Sequence, residues 1–235
     1  MRNYFIFDGE NSKDYGVYIS GQGTFDAPER NYKTIAVPGR DGALLGVDHR
    51  LDNIGLTYNA FIYANFKTNI AALRSMLLSK TGYRRLTDTY HADEFRLAYY
   101  RGGLEAEVTP KNDAGEFEIE FECKPQRYLL SGETETAITS GGTITNPTLF
   151  ASKPLIEVVG YGELTINSQT ITISNTFPSI TIDCELQECY YGLQNANRQV
   201  VIEGNSFPEL KPGVNSFSYD NTITSVSVVP RWWRV

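Results

Sequence analysis

Glu118, Glu120 and Glu122 recur at every second position. That spacing puts them on one face of a strand with neighbours about 7 Å apart. Glycoside hydrolysis needs two such carboxylates at a set separation in a cleft, one as acid and one as base or nucleophile. A row of glutamates is more often a solvated or subunit-facing sheet surface, so the row is open to either reading. Other chemistry finds less support. The two histidines, His49 and His91, form neither an H-x-x-x-H nor an H-E-x-x-H arrangement. Cys184 and Cys189 have no second pair, and Cys123 stands alone, short of the about four closely spaced ligands of a zinc site. The cysteines read as small apolar residues. There is no G-x-S-x-G elbow and no phosphate-binding P-loop. Gly21-Gln22-Gly23 begins like a dinucleotide motif, but Asp26 and Pro28 follow and no helix does, which makes it a plain turn. Neither a metal nor a cofactor is expected.

Contact chemistry is better represented. The pairs Tyr99-Tyr100, Tyr190-Tyr191 and Trp232-Trp233 each place one ring on either side of a strand, one inward and one outward. Trp232 and Trp233 therefore read as core plus a partner-facing aromatic. The most distinctive segment is Val37-Pro38-Gly39-Arg40-Asp41-Gly42. Pro38 sets its bend, Gly39 and Gly42 permit positive φ, and Arg40 and Asp41 sit at the tip. Such a loop is either a tight strand connection or a contact with a neighbouring copy, where an Arg fork suits a bidentate pair.

The elements that must carry these residues are mostly strands. The 235 residues hold 15 Tyr, 12 Phe and 20 Gly against 2 Met, a composition that leans towards β structure. No apolar window is long enough to span a bilayer, and Asp8 comes too early for a signal peptide, so synthesis in a cytoplasm and no membrane partner are expected. A net charge of −7 argues against a protein that grips nucleic acid. Three cysteines without an export signal predict no structural disulfide.

The chain divides by texture. Residues 1–125 carry 15 basic and 18 acidic residues, and the remainder only 6 and 10 with more Thr, Asn and Ser. Turn-like stretches begin at Ser131, which places a boundary near Arg127 and two domains at 1–127 and 128–235. In the first, strands are expected at Tyr4–Phe7, Gly16–Ile19, Lys33–Val37, Asn53–Tyr63, Tyr83–Leu86, Phe95–Tyr100, Leu104–Val108 and Phe117–Cys123. One helix is expected from Phe66, Ile70, Leu73, Leu77 and Leu78, with Thr68 as N-cap and Gly82 as stop. In the second, about seven short strands between Leu155 and Val229 suggest a sandwich.

Together these segments resemble the distal tail protein family (Dit) of long-tailed, non-contractile bacteriophages. The resemblance rests on five stretches in order: Tyr15-Gly16-Val17, the Val37–Gly42 loop, Phe121–Tyr128, Asn146-Pro147 before Lys153–Val158, and Phe207–Asn215 with the close at Val229-Pro230-Arg231-Trp232-Trp233. It covers essentially the whole chain and matches the short form, without an inserted carbohydrate-binding module. The resemblance implies a mainly β protein: an N-terminal β-barrel or sandwich with one α-helix that forms a ring, and a C-terminal galectin-like β-sandwich outside it. It also implies a homo-hexamer at the virion tail tip, joining the tail tube protein to the tail-associated fibre or lysin protein. Receptor-binding and tape-measure proteins would be further partners, and DNA would pass through as non-specific cargo. An acidic balance suits such a channel where the acids line it, since fixed negative charge repels phosphate. Pro38, Gly39, Arg40, Asp41 and Gly42 are the expected ring contact.

Two other functions remain open at this point. A sugar-binding adhesin would use the paired aromatics, although the second half has no histidine of the kind galectin sites use. A cell-wall hydrolase would use the carboxylates.

Overall fold

The computed structural model describes residues 2–20, 25–109 and 113–235. The turn expected at Gly21-Gln22-Gly23 lies outside them, as does the side chain of His49. Contacts divide the chain into one unit of Met1–Arg127 with Val235 and a second of Tyr128–Arg234.

The first unit contains β1 (Phe5–Phe7), β2 (Glu10–Asn11), β3 (Val17–Ile19), β4 (Arg30–Ala36), β5 (Ala43–Leu51), β6 (Ile54–Ile62), α1 (Phe66–Ser79), β7 (Arg84–Asp88), β8 (Glu94–Tyr100), β9 (Ala106–Val108) and most of β10 (Gly115–Leu129). The main sheet runs β2-β1-β7-β8-β10-β6-β3, with β9 on β10. A bridge between Asn3 and Ile19 links β3 back to the residues just before β1, so the sheet curls on itself. Alternation explains the long strands. In β6, Ile54, Leu56, Tyr58, Ala60 and Ile62 are buried while the residues between them are not. In β10, Phe117, Ile119, Phe121 and Cys123 do the same. The two strands pair over Gly115–Cys123 and Ile54–Ile62, which sets their apolar faces side by side. Inside the curl lies an aromatic knot: Phe121 meets Phe7 at 5.0 Å, Phe5 at 5.7 Å and Tyr58 at 6.0 Å between ring centroids. The Tyr58 hydroxyl donates to Asp88 at 2.7 Å, so its polar end is satisfied at the edge of the knot.

The helix closes this core with Phe66, Ile70, Leu73, Met76 and Leu77. Two expectations change here. Leu78 is 67% exposed, and Met76 takes its place on the buried face. Thr68 is not the N-cap: α1 starts after Asn65, whose left-handed backbone turns the chain. The Asn65 N–H donates to the Asp113 carboxylate at 2.9 Å and the Phe66 N–H to the Asp113 carbonyl, so a distant loop satisfies donors that a local cap would otherwise take. Strand β5 had no expectation at all.

The second unit contains β11 (Thr136–Ile138), β12 (Thr143–Asn146), β13 (Leu155–Gly160), β14 (Gly162–Ile166), β15 (Gln169–Ile173), β16 (Ser179–Asp183), β17 (Glu188–Tyr191), β18 (Gln194–Asn195), β19 (Val200–Ile202), β20 (Gly213–Tyr219), β21 (Ile223–Val229) and β22 (Trp233–Arg234). One sheet runs β11-β21-β13-β16-β17-β18 and the other β12-β20-β14-β15-β19. Between them lies a core of Ile, Val and Leu with Phe217 and Trp232. This is a two-sheet sandwich with more strands than the seven expected. Those missed, among them β12 and β17, are polar or mixed in sequence and belong to the sheets through pairing rather than through their own pattern.

Candidate assembly surface

Strands β4 and β5 form a hairpin that pairs with no other described strand. Its tip is the Val37–Gly42 loop. The Arg40 N–H donates to the Val37 carbonyl at 3.2 Å across Pro38 and Gly39, and Gly39 has φ +78°. Pro at the second position and a positive φ at the third are the marks of a type II turn. Gly42 also has positive φ, +80°. A Cβ added at Gly39 or Gly42 would meet nothing within 4 Å, so these glycines answer to backbone conformation and not to crowding. Pro38, Arg40, Asp41 and both glycines are exposed.

The body of the hairpin is equally bare, with every residue of β4 exposed. Tyr32 is 49% exposed, Ile35 47%, Leu44 46% and Leu45 56%. In the register Ile35 faces Leu44 and Thr34 faces Leu45. One face therefore carries Lys33, Ile35 and Leu44, and the other Tyr32, Thr34 and Leu45. At the root the Asp52 N–H donates to the Glu29 carbonyl, and Arg50 lies 3.7 Å from Asp52.

The glutamate row occupies the outer face of β10. Glu118 and Glu120 are exposed, with Glu116 before them; Glu122 is half-buried and 3.9 Å from Arg101. Glu116 is directly opposite Glu107 of β9 on one side and Phe61 of β6 on the other. Glu105, Glu107, Glu116, Glu118 and Glu120 line a groove of about 840 Å³ whose described walls include no lysine or arginine. Beside it Tyr18, Phe61 and Tyr63 pack at 4.9–6.1 Å, with the Arg2 guanidinium 4.2 Å above Tyr63. The carboxylates share a single sheet face.

The remaining candidates are held in structural roles. Trp232 is 4% exposed and belongs to the core, which corrects its reading as partner-facing. Trp233 is half-buried; its ring stacks on Phe150 at 4.4 Å and its indole N–H donates to the Ala151 carbonyl at 2.9 Å. Burial pushes the Cys123 thiol up to about 12 and Cys189 up to about 11, and raises Cys184 further, so all three stay protonated and unreactive at neutral pH. His91 lies 3.6 Å from Glu94, which also accepts from Arg127 at 3.0 Å in the interior. In the second unit, Arg231 donates two bonds to Asp183, at 2.7 and 2.9 Å. Neither pair stood out in sequence, because the partners are 33 and 48 residues apart. Among the described residues no group of three His, Cys, Asp or Glu is placed to hold a metal ion, and no helix is long and apolar enough to cross a membrane.

A curled, helix-capped sheet followed in the chain by a two-sheet sandwich defines a mainly β, two-unit fold. The chain matches the crystal structure of the SPP1 Dit protein, described as a paradigm of the hub adsorption apparatus in phages infecting Gram-positive bacteria, with a TM-score of 0.80 over 100% of both chains and 14% identity. It also matches chains of the phage P2 baseplate in its activated conformation. With Ca the TM-score is 0.51 over 97% of each chain, and with Sr it is 0.54 over 100% and 98%, each at 10% identity. No protein-family profile and no curated protein sequence matches the chain. The fold is Dit-like.

Proposed function

We propose that this chain is a structural protein of a phage tail tip that closes a six-membered ring and catalyses nothing. The correspondence with the SPP1 hub protein supports this reading, because it covers 100% of both chains. The ring joins the tail tube to the tail-associated fibre or lysin protein, presents receptor-binding proteins at its side, and leaves a hole for DNA. The first unit is the ring-forming domain, and the second is a galectin-like sandwich on the outside. A closed ring needs one surface to meet a different one on the next copy. The hairpin with Pro38, Gly39, Arg40, Asp41 and Gly42 supplies an obvious protruding half of such a contact.

The test is the solution mass of the purified chain over a wide dilution range, with negative-stain images. Six-fold rings are expected, and Arg40→Glu is expected to shift them towards single molecules in native mass spectrometry without altering the fold. Single molecules throughout for the parent protein would overturn the reading. Reproducible glycan-array binding lost on Trp233→Ala would replace it with the adhesin.

A further inference from the structure

An isolated two-stranded hairpin is marginal in water, and this one keeps apolar side chains on both faces with nothing described against them. Its charge is also out of step with its surroundings. Between Arg30 and Leu51 there are four basic residues, Arg30, Lys33, Arg40 and Arg50, against two acidic, Asp41 and Asp48; the rest of residues 1–127 holds twelve basic against sixteen acidic. The same unit offers a surface of the opposite kind. The groove over β9, β10 and β6 gathers Glu105, Glu107, Glu116, Glu118 and Glu120 beside Phe61. Glu107 and Glu116 are directly opposed in the register, a like-charge placement that costs stability unless a cation comes between them.

We infer that the hairpin of one copy docks in the glutamate groove of the next, so that the ring contact proposed above pairs a basic, apolar arm with an acidic, aromatic seat. This rests on the ring reading and names its second half. The face bearing Lys33, Ile35 and Leu44 is the one that fits: the aliphatic pair lies against Phe61 and its aromatic neighbours, and Lys33 reaches the Glu116–Glu118 row, with Arg40 at the tip extending the contact. Arm and seat are different surfaces, so the association is heterologous and propagates from copy to copy until it closes. Bringing a cation between Glu107 and Glu116 relieves a repulsion that the single molecule carries, and the contact weakens with salt as the pairs are screened.

The experiment is a charge exchange in the full-length chain. Lys33→Glu with Arg40→Glu reverses the arm, Glu116→Lys with Glu118→Lys reverses the seat, and a fourth protein carries all four changes. Native mass spectrometry and sedimentation read the assembly state, and circular dichroism melting of each protein reads the fold. Each reversal is expected to raise the concentration for half-assembly at least tenfold, the four-fold exchange to restore it to within a few-fold of the parent, and every variant to melt like the parent. The seat changes lie at exposed or groove-lining positions and remove like-charge repulsion, so loss of fold is not their expected effect. Parent rings that survive either reversal, or a four-fold exchange that does not recover assembly, would overturn the arm-in-groove contact and leave the ring reading standing. A parent chain that stays single at every concentration would overturn the ring reading and this contact with it.

Discussion

The two units reach stability by different routes. The second is a sandwich whose core is nearly all aliphatic, with both sheets facing it and the Asp183–Arg231 pair tying the end of β16 to the residues after β21. The first has an aromatic core under a helix, yet leaves two of its longer strands outside that core. Among the described residues, no strand pair of the second unit stands apart from the larger sheets. In the ring proposed above, the contrast assigns the contact to the first unit. A unit that buries its apolar strands leaves little to cover, whereas one that exposes Tyr32, Ile35, Leu44 and Leu45 on a hairpin offers an apolar surface of the kind that interfaces use.

The strongest way to sharpen this contrast is to damage each core separately. Phe121→Ala removes the ring that touches Phe5, Phe7 and Tyr58, and is expected to cost about 3–5 kcal/mol. Denaturant unfolding followed by tyrosine fluorescence should show the loss in the transition of the first unit. In the second unit, Asp183→Asn is expected to cost about 3 kcal/mol, the low end for a broken buried pair because a quarter of the Arg231 side chain stays in water. Burial alone would raise the Asp183 carboxyl. The bonds from Arg231 and from the Leu186 and Glu185 amides outweigh it and hold the carboxyl below the usual carboxylate range. Its stabilising contribution is therefore complete above the unfolded-state value near 4, and is lost as pH falls through the lower folded value. Melting of the second unit between pH 5 and 2 should show that slope in the parent and a flatter one in Asp183→Asn.

A smaller effect belongs to the hairpin tip. Gly39→Ala forces an L side chain into φ +78° where no neighbour obstructs it, a cost of about 1 kcal/mol. The comparison predicts that this cost stays out of global unfolding, since the arm contributes little to the core, and appears as faster amide exchange around Val37–Arg40. A large drop in the global melting temperature would show instead that the hairpin is integral to the first unit.

Where pattern and burial coincide, the fold was legible in the residues. Strands β6 and β10 alternate apolar and polar side chains without a break, because each has one face in the core and one outside. The helix was legible from its repeat but not its ends, since its N-terminal donors are met by Asp113, far along the chain. Strand β5 was not legible because its described side chains, at 43–46, 50 and 51, include no buried one to impose a period. The loop at Val37–Gly42 was visible as a turn from Pro38 and Gly39, and its position at the tip of a bare hairpin was not.

The chain by itself thus determined its β character, its single helix and the chemistry of its tip, because these depend on local periodicity and on what proline and glycine allow. Only the tertiary structure decided which strands lack a cover and that Glu107 stands opposite Glu116. It alone also showed that Trp232 is inside. Those facts depend on pairings between residues far apart in sequence, and strand register carries no mark that a local pattern can reveal.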